Sequence, residues 1–442
     1  MSRMTAGCLQ AMLLLALPPL SPAATITVDP GGGGDFTGIQ EALDAAADGD
    51  RVLVRPGEYL LSEPLDFNRN SDPSSGDGKN LVLQSENGPA VTTLRMTRMD
   101  GSSSDRAILV FHRGETRASA LIGFTLTGGG HAIRLWGESN PVIRDCIITH
   151  NATDDPAHEG AIQTDFEGYP HLVEDCVIID NDATGVVFPV DGVPVILLKR
   201  CLIARNSPHG VIGANATDCE IADNGGVGIS GSALGCRITG NSTGVGIRYE
   251  GTISITDSLI TRNRAWGVRG FFANAIVTNS VILENGGGGI SVIDGGGVHA
   301  VNSAIVGNGG HGVEVEVFFP QAALLESCII WGNAGQSVAQ FTPEGGDPSH
   351  QAPPTILYCD TAEPEPGVGN ISADPLFCEN ADGNSLALSD GSPCLGTGAG
   401  GVDMGASTGT CDGLIVDDGA LSTQAVGNWY VSGAPSPYGS KS

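Results

Sequence analysis

Lysine is almost missing from this 442-residue chain, occurring only as Lys79, Lys199 and Lys441, and aromatic residues make up just 5% of it. Fifty Asp and Glu stand against 21 Lys and Arg, a net charge of −29. That balance excludes nucleic acid and anionic membranes as partners held by bulk charge. After the first two dozen residues no run approaches the 18 or more apolar residues of a membrane span, so no transmembrane segment is expected. The body has no recurring i, i+3, i+4 apolar pattern, which argues against a helical solenoid. It also has no tight metal-loop spacing of the DxDxDG kind. Glycine, by contrast, is abundant at 65 residues and follows no collagen period, which suits a fold with many turns.

What the chain does have is one short phrase, repeated nine times: DCIITHN (145–151), DCVIIDN (175–181), RCLIARN (200–206), DCEIADN (218–224), GCRITGN (235–241), DSLITRN (257–263), NSVILEN (279–285), NSAIVGN (302–308) and SCIIWGN (327–333). Every copy has Ile three residues before its Asn, and Cys or Ser two residues before that Ile. The Asn-to-Asn steps run from 17 to 30 residues. This period marks stacked supersecondary units. A separation of two puts the small residue and the Ile on one face of a β-strand. About 22 residues hold three short strands with turns but not a helix pair. A Gly followed by a branched apolar residue after most copies (Gly185-Val186, Gly228-Ile229, Gly312-Val313) opens a second strand. Stacking such coils in parallel predicts columns of Ile on Ile, Cys or Ser on its kind, and Asn on Asn, with amides bonding from rung to rung. The reading is an all-β parallel β-helix, one solenoid and a monomer. Cys146, Cys176, Cys201, Cys219, Cys236 and Cys328 are then buried free thiols, because stacked Cβ atoms sit too far apart for a relaxed bridge. The disulfides are expected among Cys359, Cys378, Cys394 and Cys411, in any of three pairings.

Residues 1–24 read as a secretory signal, with Arg3, an apolar core from Ala11 to Leu17 and the small-residue site SPAA, so the protein is expected to be secreted, in the medium or at the cell surface. In TITVDPGGGGDFTGIQEALDAAADGDRVLVRPGEYLL (25–61), Phe36, Ile39 and Leu43 have helical spacing between two strand patterns. An amphipathic helix there would cover the open first rung. This stretch resembles the amino-terminal signature of the pectin-lyase-like superfamily, and the nine phrases are similar to its carbohydrate-binding and sugar-hydrolase repeats. The resemblance implies a single-stranded right-handed parallel β-helix over 25–411 and a polysaccharide partner. Asp374-Pro375-Leu376-Phe377, Ser392-Pro393-Cys394 and Asp403 to Ala406 resemble a closing segment of secreted bacterial β-helix proteins, expected to form the last rungs and a cap. The tail 412–442 (VDDG, GNWYVS, YGS) resembles the start of a golvesin-type carbohydrate-binding module but is too short for one; the alternative is disorder.

On such a fold, chemistry belongs to outward residues that stack across rungs. Counting from each opening Gly places Ile162, Arg248 and Arg269 in one outward column, with Arg248 and Arg269 adjacent, and Glu250 and Phe271 in the next. Arg262, Arg264 and Trp266 fall in the turn before Arg269. Guanidinium forks match sugar carboxylates and aromatic faces stack on sugar rings. Arg248, Arg269 and Glu250 are therefore the candidate catalytic residues, and Arg262, Arg264, Trp266 and Phe271 the candidate substrate-binding residues. The family's lyases, by resemblance, take the proton beside a uronate carboxylate with a basic residue, often Arg. A second group, Asp154, Asp155, Glu159 and Asp165, lies in the longest repeat, where hard oxygens suit Ca²⁺. Plain alternatives are a solvated charged face and an acidic loop. The catalytic-Asp, Asp-pair and vWiDH-type motifs of the family's named enzymes have no counterpart here. A non-catalytic surface or adhesive β-helix is thus the rival to a polysaccharide-binding, lyase-type protein.

Overall fold

The computed structural model describes residues 23–69, 78–97, 107–164, 171–188, 196–316, 323–341, 353–378 and 386–406. The expected leader up to residue 22 and the tail at 412–442 lie outside them.

Short alternating segments cannot bury an apolar face alone, and here they do so by coiling. Each coil places one strand in each of three parallel sheets and then climbs to the next rung. The third sheet, of 13 strands, contains the repeated phrase. The first and second sheets are joined because two strands, Thr243–Thr256 and Val268–Thr278, run unbroken around the corner between them. Register is strict: Ile148 opposes Ile178, which opposes Ile203, and the same column continues through Ile221, Ile238, Ile260, Ile282, Ile305 and Ile330. All of these isoleucines are fully buried. A one-residue slip would turn every one of them outward, so the apolar pattern itself fixes the register. A seven-residue helix, Ile39–Ala45, buries Ile39, Ala42 and Leu43 beside the first strands.

The polar columns explain the rest of the phrase. Each ladder Asn is held by the next: the Asn151 amide nitrogen and its Nδ2 both donate to Asn181 Oδ1 at 3.0 Å, and the pattern repeats to Asn333. Cys and Ser interchange because both do one job. Ser258 Oγ donates to Thr256 O at 2.8 Å and accepts from the Cys236 amide at 3.1 Å, while Cys219 Sγ donates to Thr217 O and accepts from the Cys201 amide. The first position of the phrase is left-handed, with φ between 46° and 55° at Asp145, Asp175, Arg200, Asp218, Asp257, Asn279, Asn302 and Ser327. That conformation favours Asp, Asn and Gly, the residues found at seven of the nine copies. The sixth position is left-handed as well, at His150, Asp180, Arg205, Asp223, Arg262 and Glu284.

Two expectations fail at the carboxyl end. Cys359 and Cys394 are free and buried, not disulfide-bonded. Cys359 continues the thiol column, its Sγ accepting from the Cys328 amide at 3.3 Å, and the Cys394 thiol donates to Asp360 Oδ2 at 3.1 Å. Cys378 is disulfide-bonded, to a residue outside the described set, where Cys411 also lies. After 360–361 the described part of the closing segment adds to the stack only one parallel bridge, Ile371 to Asp360, and no further named strand. It folds back on the outer surface of the third sheet, where Leu386, Leu388, Cys394 and Met404 cover Leu283, Val306 and Ile329. Those outward positions are apolar precursors of that cover, whereas outward Glu220 and Arg237 earlier in the sheet are not.

Candidate functional site

The outer surface of the first sheet carries the side chains with chemistry, at two levels of the coil. Chain connections also single out this sheet. Between it and the second sheet they range from none, in the two unbroken strands, through one residue, Gly213, to residues 342–354.

The level predicted from sequence is present but its register differs. The strand at 243–248 opens at Gly244, level with Gly267, and not at Gly246. Arg269 therefore opposes Gly246, and Arg248 opposes Phe271. Arg248 and Arg269 are diagonal, two residues apart along the strands, not stacked. Glu250 lies in an irregularity between Arg248 and Gly251, which oppose Phe271 and Ala273, and so leaves the column assigned to it. Ile162, counted as outward, is fully buried, because Gln163 holds that place. The error has a physical source: a Gly-x-Gly stretch gives two possible starts for the strand, and side-chain parity cannot tell a shift of two.

Arg269 is half-buried, and its Cζ lies 4.9 Å from the Phe271 ring centroid. Its Nε is buried without a hydrogen-bond partner, a donor that costs free energy unless an acceptor or water reaches it. Around it the column is small: Gly246 on one side and Ser291 on the other, with Ser291 Oγ donating to Glu314 Oε1 at 3.1 Å. Trp266 packs where a side chain at Gly288 would stand. This group can present a desolvated guanidinium, the aromatic ring beneath it and the Glu314 carboxylate to a ligand crossing the rungs. Arg264 is exposed in the turn, and Arg262 is turned to the third-sheet edge, its Nε donating to Glu284 Oε2 at 2.9 Å, so the structure does not bring either of them to Arg269.

The second level spans three rungs, with Arg134 six, His112 seven and Asp66 eight rungs before Arg269, about 29–38 Å away at the 4.8 Å spacing of strands, and the sequence pattern does not mark it. His112 Nε2 lies 2.9 Å from Asp66 Oδ2, with both side chains about six-sevenths buried (14% and 15% exposed). The His112 ring meets the Trp136 ring at 4.9 Å between centroids, tilted by 44°, and Arg134 Cζ lies 5.6 Å from the Trp136 ring centroid. Asp66 is itself fixed: its Oδ1 accepts from the Asn68 amide at 2.8 Å and its own amide donates to Gln40 Oε1. Burial pushes the Asp66 carboxyl up, but the His112 bond, the Asn68 amide and the charges of His112 and Arg113 outweigh it, so it sits below its ordinary value. These residues lie in LDF, FHRGE and HAIRLW, before the first phrase, where no repeat sets the phase. Outward polar residues in two successive apolar strands were the available signal.

In the long repeat, Asp154 and Asp155 are exposed and Glu159 is half-buried. The Asp155 carboxylate lies 3.0 Å from His158 Nδ1. Among the described residues no three of His, Cys, Asp or Glu gather so as to hold a metal ion. Asp165 lies outside them. No helix among the described residues is long and apolar enough to cross a membrane.

The model of the family described as "Right handed beta helix region" matches residues 102–234 and 211–342. No curated protein matches this sequence. Among solved structures, the catalytic unit of an α-1,3-glucanase from Streptomyces thermodiastaticus superposes with a TM-score of 0.51 at 15% identity, over 76% of this chain and 65% of that one. The A-module of the Azotobacter vinelandii mannuronan C-5 epimerase gives 0.49 at 17% identity, over 71% and 94%. A pectate lyase gives 0.41 at 14% identity, over 88% and 97%. At these identities the likeness is one of fold.

Proposed function

Because the chain belongs to the right-handed β-helix family, we propose that it is an exported protein that binds an extracellular polysaccharide along the outer surface of its first sheet and cleaves it by elimination. The observation that carries the binding is Arg269, a half-buried guanidinium on an aromatic ring, with an unpartnered buried Nε, in an outward column of small residues. A polymer with repeating groups suits a surface with repeating rungs. The fork and the ring suit a sugar carboxylate and a sugar face respectively. Binding is tested by titrating uronate-containing and neutral polysaccharides into the protein and into Arg269→Ala. A charge-assisted hydrogen bond contributes about 1.5–3 kcal/mol, so affinity for the uronate polymer falls about 10- to 100-fold. Unchanged affinity for every polymer overturns the reading. A non-catalytic surface role is favoured by the repeated phrase, whose Asn and Cys or Ser columns hold the scaffold; binding without any product is the result that role requires.

A further inference from the structure

The group around His112 is not used by binding at Arg269, and it contains the parts of a proton-transfer centre. We propose that His112, held by Asp66, is the base that removes the proton beside the carboxylate of a bound uronate residue, with Arg134 as the cation that faces this carboxylate. The proposal rests on the polysaccharide reading and moves its chemistry away from Arg248 and Arg269 to the other end of the same surface.

An ionised Asp66 takes the N–H of His112 Nε2, so a neutral His112 keeps its lone pair on Nδ1. Nδ1 has no protein hydrogen-bond partner among the described residues. The Asp66 carboxyl, below its ordinary value, stays ionised through the range in which an imidazole works as a base. Trp136 fixes the plane of the ring and sets Arg134 on the same surface, one strand along from His112. Other imidazoles are differently employed: His131 is buried and bonded through Nδ1 to Gly160 O, and the Nδ1 atoms of His209 and His311 accept backbone amides of the next rung.

In the step, the C5–H bond breaks, the proton goes to His112 Nδ1, and the electron pair passes into the carboxylate, whose charge Arg134 offsets. The pair then forms the C4–C5 double bond as the C4–O bond to the next sugar breaks, the departing oxygen taking a proton from water. Otherwise it is reprotonated at C5. Either way His112 returns its proton to solvent, and no oxidant is required.

The test uses the full chain with polygalacturonate and with alginate in deuterated water, reading the ultraviolet absorbance of the unsaturated product and deuterium at C5 by NMR. His112→Gln lowers the rate of either signal by about 10²- to 10⁴-fold, with polymer affinity and thermal midpoint unchanged, and added imidazole restores part of it. Asp66→Asn, removing a positioning residue, lowers kcat and leaves KM, and Asp66→Glu recovers part of the loss. Binding with neither signal overturns the proposal and leaves the binding reading standing. So does a signal that survives His112→Gln. Absence of binding to either polymer overturns both.

Discussion

Replacing Asn263 by alanine removes four hydrogen bonds from the middle of the amide column. Its Oδ1 accepts from the Asn241 amide at 3.0 Å and from Asn241 Nδ2 at 3.1 Å, and its Nδ2 donates to Ile238 O at 3.2 Å and Asn285 Oδ1 at 2.9 Å. Asn241 is fully buried, so its amide N–H keeps no partner and no water replaces the lost one. An orphaned buried donor costs about 1–3 kcal/mol, and each other bond about 0.5–1.5 kcal/mol net. Asn241 Nδ2 retains Ile221 O and Thr239 O, which limits its share. The expected loss is therefore about 3–5 kcal/mol. Asn333 ends the column and is only half-buried, so Asn333→Ala exposes the Asn308 amide to solvent and costs about half as much. Guanidinium unfolding followed by circular dichroism, with both variants under the same conditions, measures the pair. A loss under about 1 kcal/mol at Asn263, or equal losses at both sites, would show that the column follows the fold and does not hold it.

Burial, followed by the charge of Arg117, pushes His171 down to about 4, and its side chain is 3% exposed. Above the ordinary histidine value of about 6.5 both states are neutral there. As pH falls from about 6.5 to about 4 the unfolded chain takes a proton that the folded chain refuses, and stability drops by up to about 3 kcal/mol. His171→Phe removes that part of the acid sensitivity in a pH series of unfolding midpoints; an unchanged series refutes the assignment. In the thiol column, Cys219→Ser keeps both the donor to Thr217 O and the acceptor of the Cys201 amide and costs under about 1 kcal/mol, whereas Cys219→Ala loses both and costs about 1–3 kcal/mol. Equal losses in the same unfolding assay would contradict the shared role of Cys and Ser.

The scaffold was legible because its signals repeat. Nine copies average out local accidents, so spacing alone places the Ile column, the inward thiols and the amide ladder where the structure has them. The site was less legible because it is written once. Counting from Gly246 sets Arg248 and Arg269 level, and only the pairing of Val245 with Val268 shows that the strand begins two residues sooner. The place of Cys359 in the thiol column is hidden in the sequence because the step from Cys328 contains a long connection. Asp66 and His112 are 46 residues apart in sequence and meet only through the coil.

The strict register gives the first-sheet surface a metric. Arg134 and Arg269 are separated by a whole number of rungs, each about 4.8 Å, and the strands between them pair without a break. Their separation is therefore a count, not a distance that the chain can adjust. Excising one complete coil between them would bring the two groups closer by one rung and leave each intact. The solenoid is in this sense a ruler, and a bound polymer would be measured in rungs.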